Sequence, residues 1–272
     1  MAVTVADIQR LAEAKMAESA RTYIALGAGQ EQTLEDNTRA FQSCLSSVAL
    51  EDVMAKAPKC PIWQQVYLFS ERCLTENLVK RAAAQGCKVI VVTADAPVDG
   101  DKVSRHEYPH GLPNGISTAN LDAAFSYHRP GCTATGEHSR EVSAMLSATF
   151  KEIEWLRSLA DLPIVVKGVL RGKKTSDEKM LVAMPPRDFR NKHHNIDVLT
   201  EIVAAMGDKM EVYLDSGVRT GADVVKALAL GARAVFVGWP VLCGLAYDGK
   251  QGVQKVLRIL RDELEHTMRL LG

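Results

Sequence analysis

Two hydrophobic rhythms alternate along the chain. Residues 63–69 (WQQVYLF) form one strand candidate. Residues 88–93 (KVIVVT) are a continuous apolar run, as expected of a parallel strand buried on both faces. Residues 163–167, 211–215 and 234–238 repeat the short β-branched pattern. Helical spacing fills the intervals. Residues 75–84 place Leu78, Val79, Ala82 and Ala83 on one face, with Thr75 as N-cap and Gly86 as C-cap. Thr149 and Glu152 have capping-box spacing and open a helix with Phe150, Ile153 and Leu156 inward. Residues 195–206 and 220–230 predict two more helices, and Val253, Val256, Leu257, Leu260, Leu264 and Met268 align on a last one. The polar stretch 99–141 breaks the rhythm and reads as an excursion loop.

Repeated strand–helix units with buried strands predict an α/β fold, a parallel sheet with crossover helices. The length of 272 residues fits one (β/α)8 barrel. A doubly wound sheet needs a glycine-rich first turn, and Gly27-Ala28-Gly29 lacks the third glycine. The barrel is preferred because residues 215–221 (DSGVRTG) and 234–240 (AVFVGWP) have the character of a phosphate site after the last two strands. Ser216, Gly217 and Gly221 let an anion approach backbone N–H groups at a helix N-terminus, and Arg219 adds a forked cation. A tight strand–helix turn with a solvated arginine explains the same residues, and locally the two readings are balanced.

Composition narrows the classes. Apolar residues make up 47% and charged residues 24%, an ordinary globular mix. Lys plus Arg is 33 and Asp plus Glu is 33, so no basic surface for nucleic acid or an anionic membrane is expected. No apolar run approaches the roughly 20 residues of a membrane span. The six cysteines contain no C-x-x-C pair, which favours reduced thiols in an intracellular protein over a disulfide framework or a metal site. No secretory leader is expected from the first residues, and no Ser-Lys-Leu peroxisomal address from the last.

Six segments, in order, carry a resemblance: YIALGAGQEQTLEDN (23–37), WQQVYLFSER (63–72), VIVVTADAP (89–97), LPIVVKGVL (162–170), YLDSGVRTGADVVKALALGARAVFVG (213–238) and VQKVLRILRDELEHTM (253–268). Together they resemble the FMN-dependent 2-hydroxy acid oxidases, the glycolate oxidase group. The resemblance implies a (β/α)8 barrel as a single domain, with 1–42 as an N-terminal helical segment, 43–241 as barrel and 242–272 as C-terminal helix. It implies FMN as cofactor, a small 2-hydroxy acid and O2 as substrates, a 2-oxo acid and hydrogen peroxide as products, a homo-oligomer, and a peroxisomal or otherwise cytoplasmic location.

Site roles follow from the resemblance alone. Tyr23 matches a tyrosine on the substrate carboxylate, and Tyr67 the active-site tyrosine. Gln65 and Thr93 match flavin contacts. Asp95 matches the aspartate that orients the catalytic histidine. Lys167 matches the lysine that stabilises negative charge on the reduced ring. Asp215, Ser216, Gly217, Arg219 and Gly238 match ribityl and phosphate contacts. Taken singly, each of these residues has a packing, turn or surface explanation.

The chain also departs from the family pattern. The family's base is a histidine in a Ser-Asn-His-Gly-x-Arg motif, absent here. Residues 171–194 (RGKKTSDEKMLVAMPPRDFRNKHH) replace it; a gapless count back from Asn195 puts Met184 at the base position and Arg187 at a substrate arginine. His193 and His194 fall past that position and read as surface histidines. Lys102 stands at a second substrate arginine and Trp239 at a phosphate arginine. After Phe41 the chain passes directly to residues 43–47, so a first strand–helix unit is missing and 43–47 must serve as the second strand. Residues 180–184 are the candidate sixth strand. The expected barrel is therefore incomplete and its turnover weak. Two rival readings are a non-catalytic relative acting as an oligomer partner and a phosphate-binding barrel without flavin.

Overall fold

The computed structural model describes residues 3–16, 40–94, 116–128, 149–169, 180–183 and 195–272. The chain divides into two compact units, Thr38–Lys167 and Met1–Asn37 with Gly168–Gly272.

In the unit Thr38–Lys167, strands β1 (Ala40–Gln42), β2 (Ile62–Val66), β3 (Val89–Thr93) and β4 (Ile164–Lys167) pair in chain order, all parallel. Every residue of β2 and β3 is buried, which is why 88–93 reads as an unbroken apolar run. The helices are α2 (Leu50–Lys56), α3 (Arg72–Ala84), α4 (Ala119–His128) and α5 (Phe150–Leu159). Helix α3 buries Leu74, Leu78, Val79 and Ala82. It ends at Gly86, whose φ of +82° a side chain rarely adopts.

Four expectations change here. Helix α3 begins at Arg72, one turn before Thr75. Thr75 is buried, and its hydroxyl bridges two main-chain groups, accepting from Phe69 N–H at 3.1 Å and donating to the Tyr67 carbonyl at 2.9 Å. Phe150 points outward at 60% exposure, while Ile153 and Leu156 are buried as expected. Part of the stretch 99–141 is helix α4 rather than loop. The first strand among the described residues is Ala40–Gln42, and 43–47 form the turn that follows it. Among the described residues no strand precedes β1.

In the other unit, β5 (Met180–Ala183), β6 (Val212–Asp215) and β7 (Ala234–Phe236) pair in chain order, again parallel. The candidate sixth strand is therefore formed. Helices α1 (Val5–Glu13), α6 (Asn195–Met206), α7 (Gly221–Ala229) and α8 (Trp239–Leu271) complete the unit. Helix α8 breaks at Asp248 and Gly249, where the backbone leaves helical angles. Its two arms meet at Gly244 and Gly252, where a Cβ on either glycine would overlap the other's backbone. Val5, Ile8 and Ala12 of α1 form one buried cluster with Cys243, Val256 and Leu260 of α8. Met268, expected on the inner face of α8, is 56% exposed. Among the described residues no helix is long and apolar enough to cross a membrane.

Candidate functional site

The candidate residues of the first unit gather at the C-terminal ends of its strands. Gln65 and Thr93 are both 9% exposed and joined directly, Gln65 Nε2 donating to Thr93 Oγ1 at 3.0 Å. The amide orientation is fixed by its other end. Gln65 Oε1 accepts from the Cys44 N–H at 3.2 Å, and a backbone N–H can only donate. Ser43 Oγ and the Cys44 thiol also reach Oε1, at 3.3 and 3.4 Å. Burial pushes the thiol's pKa from 9.0 up to about 12, so it stays protonated well into the alkaline range. With Thr93 Oγ1 accepting, its hydroxyl hydrogen is left to donate to a further acceptor. Tyr67 follows β2, half-buried, its ring edge-on to Phe69 at 6.2 Å. Lys167 ends β4, half-buried and in register with Thr93.

The second unit carries the phosphate candidates. Asp215 ends β6 and is 7% exposed. Ser216 and Gly217 follow with positive φ, +72° and +82°. Around the missing Cβ of Gly217 nothing lies within 4 Å, so a ligand can approach the backbone there. The helix N-terminus itself is already supplied with acceptors. Asp223 Oδ2 accepts from Arg219 N–H at 3.1 Å and Thr220 N–H at 3.0 Å, and the Asp223 N–H is capped by Thr220 Oγ1 at 3.2 Å. Glu263 Oε2 accepts from Gly221 N–H at 2.8 Å. Burial opposes charge on Asp223, but the bonds from Thr220 and Arg219 and the Lys226 ammonium outweigh it and hold its pKa below the ordinary carboxylate value. The open approach is thus the 216–217 turn rather than the first turn of α7. Gly238 is the N-cap of α8. Trp239 is half-buried against the α1–α8 cluster with Val237 and Tyr247.

Tyr23, Asp95, Lys102, Met184, Arg187, His193 and His194 lie outside the described residues. Three polar residues at the site escaped the sequence reading as participants. Ser43 and Cys44 follow a strand only three residues long, too short to show a period. Asn120 is fully buried in a stretch whose polarity suggested a loop.

A family model described as FMN-dependent dehydrogenase matches residues 42–272. The chain belongs to this family. 2-Hydroxyacid oxidase 1 of Mus musculus is 40% identical over 241 residues, covering 85% of this chain and 65% of that protein. L-lactate oxidase of a Nostoc species is 38% identical over 244 residues, covering 85% and 66%. The chain therefore spans about 65% of the length of the first of these relatives. Among solved structures, mandelate oxidase with (S)-4-hydroxymandelic acid superposes with a TM-score of 0.80 at 26% identity, covering all of this chain and 95% of that one. The fold is thus that of the FMN-dependent (β/α)8 barrel oxidases, with seven strands formed among the described residues.

The family's cofactor is FMN, and the donor sets fit its two ends separately. Thr93 and Gln65 offer oriented hydrogen-bond donors of the kind that complement flavin ring acceptors, and Lys167 offers a cation. The Gly217 cradle and Arg219 suit a phosphate. Trp239 supplies no charge.

Proposed function

We propose that this family member binds FMN and accepts a small 2-hydroxy acid, giving the 2-oxo acid with O2 as final oxidant and hydrogen peroxide as second product, and that its turnover is weak. The observation that supports the flavin most is the Gln65–Thr93 pair, two buried polar side chains joined at the ends of neighbouring buried strands. With Thr93 Oγ1 accepting from Gln65, its hydroxyl hydrogen calls for an acceptor in this buried place. FMN, when bound, supplies the two-electron acceptor. In this reading, as the family resemblance implies, Gln65, Thr93 and Lys167 would serve the flavin ring, and Asp215, Ser216, Gly217, Arg219 and Gly238 would serve the ribityl and phosphate groups. Tyr67, with Tyr23, Lys102 and Arg187, holds the substrate carboxylate. Oxidation must also remove the proton on the hydroxyl-bearing carbon. The position assigned to the base is Met184, whose thioether has no basic pKa, and Asp95 then has no histidine to orient.

The visible absorbance of purified protein mixed with FMN and desalted tests the first part. Retained flavin absorbance is expected, and a colourless protein overturns the assignment. Peroxide production from glycolate or lactate tests the second. A rate lowered on the order of 100- to 10,000-fold against a complete relative is the expectation for a lost base. An ordinary rate overturns it and points to His193 or His194. The homo-oligomer and peroxisomal location implied by the family belong to the same proposal. Sedimentation and imaging of a tagged chain test them.

A further inference from the structure

Asn120, in the first turn of α4, is 0% exposed and reaches three main-chain groups of the segment after β1. Its Oδ1 accepts from Leu50 N–H at 2.8 Å. Its Nδ2 donates to the Ser43 carbonyl at 3.2 Å and lies 3.4 Å from the Val48 carbonyl. Leu50 opens α2, whose own N-cap residue, Ala49, has no side chain able to cap it, so Asn120 supplies the cap from another helix. The circuit closes through Arg81. Arg81 grips Glu51 of α2 with two nitrogens, at 2.9 and 2.8 Å, and gives a third bond to the Asn120 carbonyl at 3.0 Å. What this circuit holds in place is the turn at Ser43 and Cys44, the two residues that meet Gln65 Oε1.

We infer that Asn120 is a positioning residue: it holds the Ser43–Cys44 turn against Gln65 Oε1, and so aims the Gln65 amide and the Thr93 hydroxyl at whatever occupies the strand ends. The inference rests on the flavin reading for the identity of that occupant. It does not rest on it for the geometry. Without Asn120 the Ser43 carbonyl loses its side-chain donor and the α2 N-terminus its cap. The turn then relaxes, Cys44 N–H leaves Oε1, and the amide is free to rotate. The side-chain bonds of Asn120 go to Leu50, Ser43 and Val48, so it acts on Gln65 through the turn.

The test compares Asn120→Ala with Leu78→Ala, a cavity variant in the core of α3 that leaves the circuit intact. Hydrogen exchange without added cofactor reads the Cys44 amide against the Val91 amide. In Asn120→Ala the Cys44 amide is expected to exchange about tenfold or more faster relative to Val91, and in Leu78→Ala the ratio stays as in the parent. The FMN dissociation constant, read by quenching of flavin fluorescence, is expected to rise about tenfold in Asn120→Ala and to change less than about twofold in Leu78→Ala. Because Asn120 acts through Gln65, the double variant Asn120→Ala/Gln65→Ala should bind FMN no more weakly than Gln65→Ala alone. An unchanged Cys44-to-Val91 ratio, or fully additive losses, overturns the inference. If the parent retains no FMN, the flavin reading fails by itself and the exchange ratio still decides whether Asn120 holds the turn. Should Asn120→Ala not fold, Asn120→Asp is read the same way. It keeps the acceptor for Leu50 N–H but sets a carboxylate oxygen against the Ser43 carbonyl.

Discussion

The N–H of Gly221 donates to the Glu263 carboxylate over 2.8 Å, and the glycine lies against the backbone at Glu263 and Leu264. The terminal helix thereby seals the first turn of α7, the place where an anion would otherwise be received. Gly217, four residues earlier, faces open space.

These two glycines should therefore fail in different ways. Gly221→Ala forces a methyl into the α8 backbone and is expected to cost about 2 kcal/mol or more in stability. Gly217→Ala meets no atoms, carries the strain of its φ, about 1 kcal/mol, and fills the cradle. Its FMN dissociation constant should rise about tenfold or more. Urea midpoints and flavin titrations on both variants check this. Equal loss of FMN affinity in the two would move the phosphate away from the 216–217 turn.

Trp239→Arg separates packing from charge. The indole is half-buried against the α1–α8 cluster, so its loss should lower stability by about 1–3 kcal/mol. The guanidinium, placed at the start of α8, should tighten FMN binding about tenfold, since a hydrogen bond to a charged group contributes about 1.5–3 kcal/mol. A melting curve and a flavin titration on one preparation should move in opposite directions. Equal FMN dissociation constants would remove the Gly238 loop from the phosphate site.

Alkaline pH should destabilise the protein through its buried thiols. Burial pushes Cys44 up to about 12 and Cys87 and Cys243 up to about 11, from an ordinary value of 9.0. A thiol that ionises when unfolded but stays protonated when folded favours unfolding. The stability it contributes is complete below pH 9.0 and is lost as pH rises toward those folded values. Urea midpoints should fall between these limits, and Cys44→Ser should flatten the fall. A parent midpoint constant across that range would show that these thiols are not held protonated.

The Arg81–Glu51 pair makes the opposite prediction on the acid side. The two bonds from Arg81 hold the Glu51 pKa below its ordinary 4.5. The resulting stability is present above that value and is lost as pH falls through the depressed one. Arg81→Lys loses the planar fork and the bond to Asn120, an expected cost of about 1 kcal/mol near neutral pH for this half-exposed pair. The difference between parent and variant should shrink in acid. Denaturation curves at about pH 7 and about pH 3 measure it, and a difference independent of pH would mean that the pair contributes through packing alone.

What the sequence discloses depends on how local the cause is. Strand β3 was legible because burial on both faces writes itself as consecutive Val and Ile. Asn195–Met206 was legible because one helix face fixes a period. Thr75 misled because a threonine before a helical pattern looks like a cap, whereas its hydroxyl serves the main chain of Tyr67 and Phe69. The Gln65–Thr93 pairing could be approached through the family resemblance, since the bond joins positions 28 apart. Asn120 left no local mark: its partners are 70 to 77 positions away. Phe150 shows the limit of periodicity, which counts faces without knowing what lies beyond them.

The cluster between α1 and α8 has a consequence for the order in which the chain can become a protein. Lys15 donates to the carbonyl of Tyr247, 232 positions further on, and the cluster partners of Val5, Ile8 and Ala12 lie on the same late helix. Glu263, which closes α7, comes later still. During synthesis the residues of Thr38–Lys167 all emerge before any of these. That unit can condense on the ribosome while α1 waits with its apolar face uncovered. The first turn of α7 is closed only once Glu263 has been made, so a chain interrupted after Phe236 contains every strand described here but not the helix that closes α7.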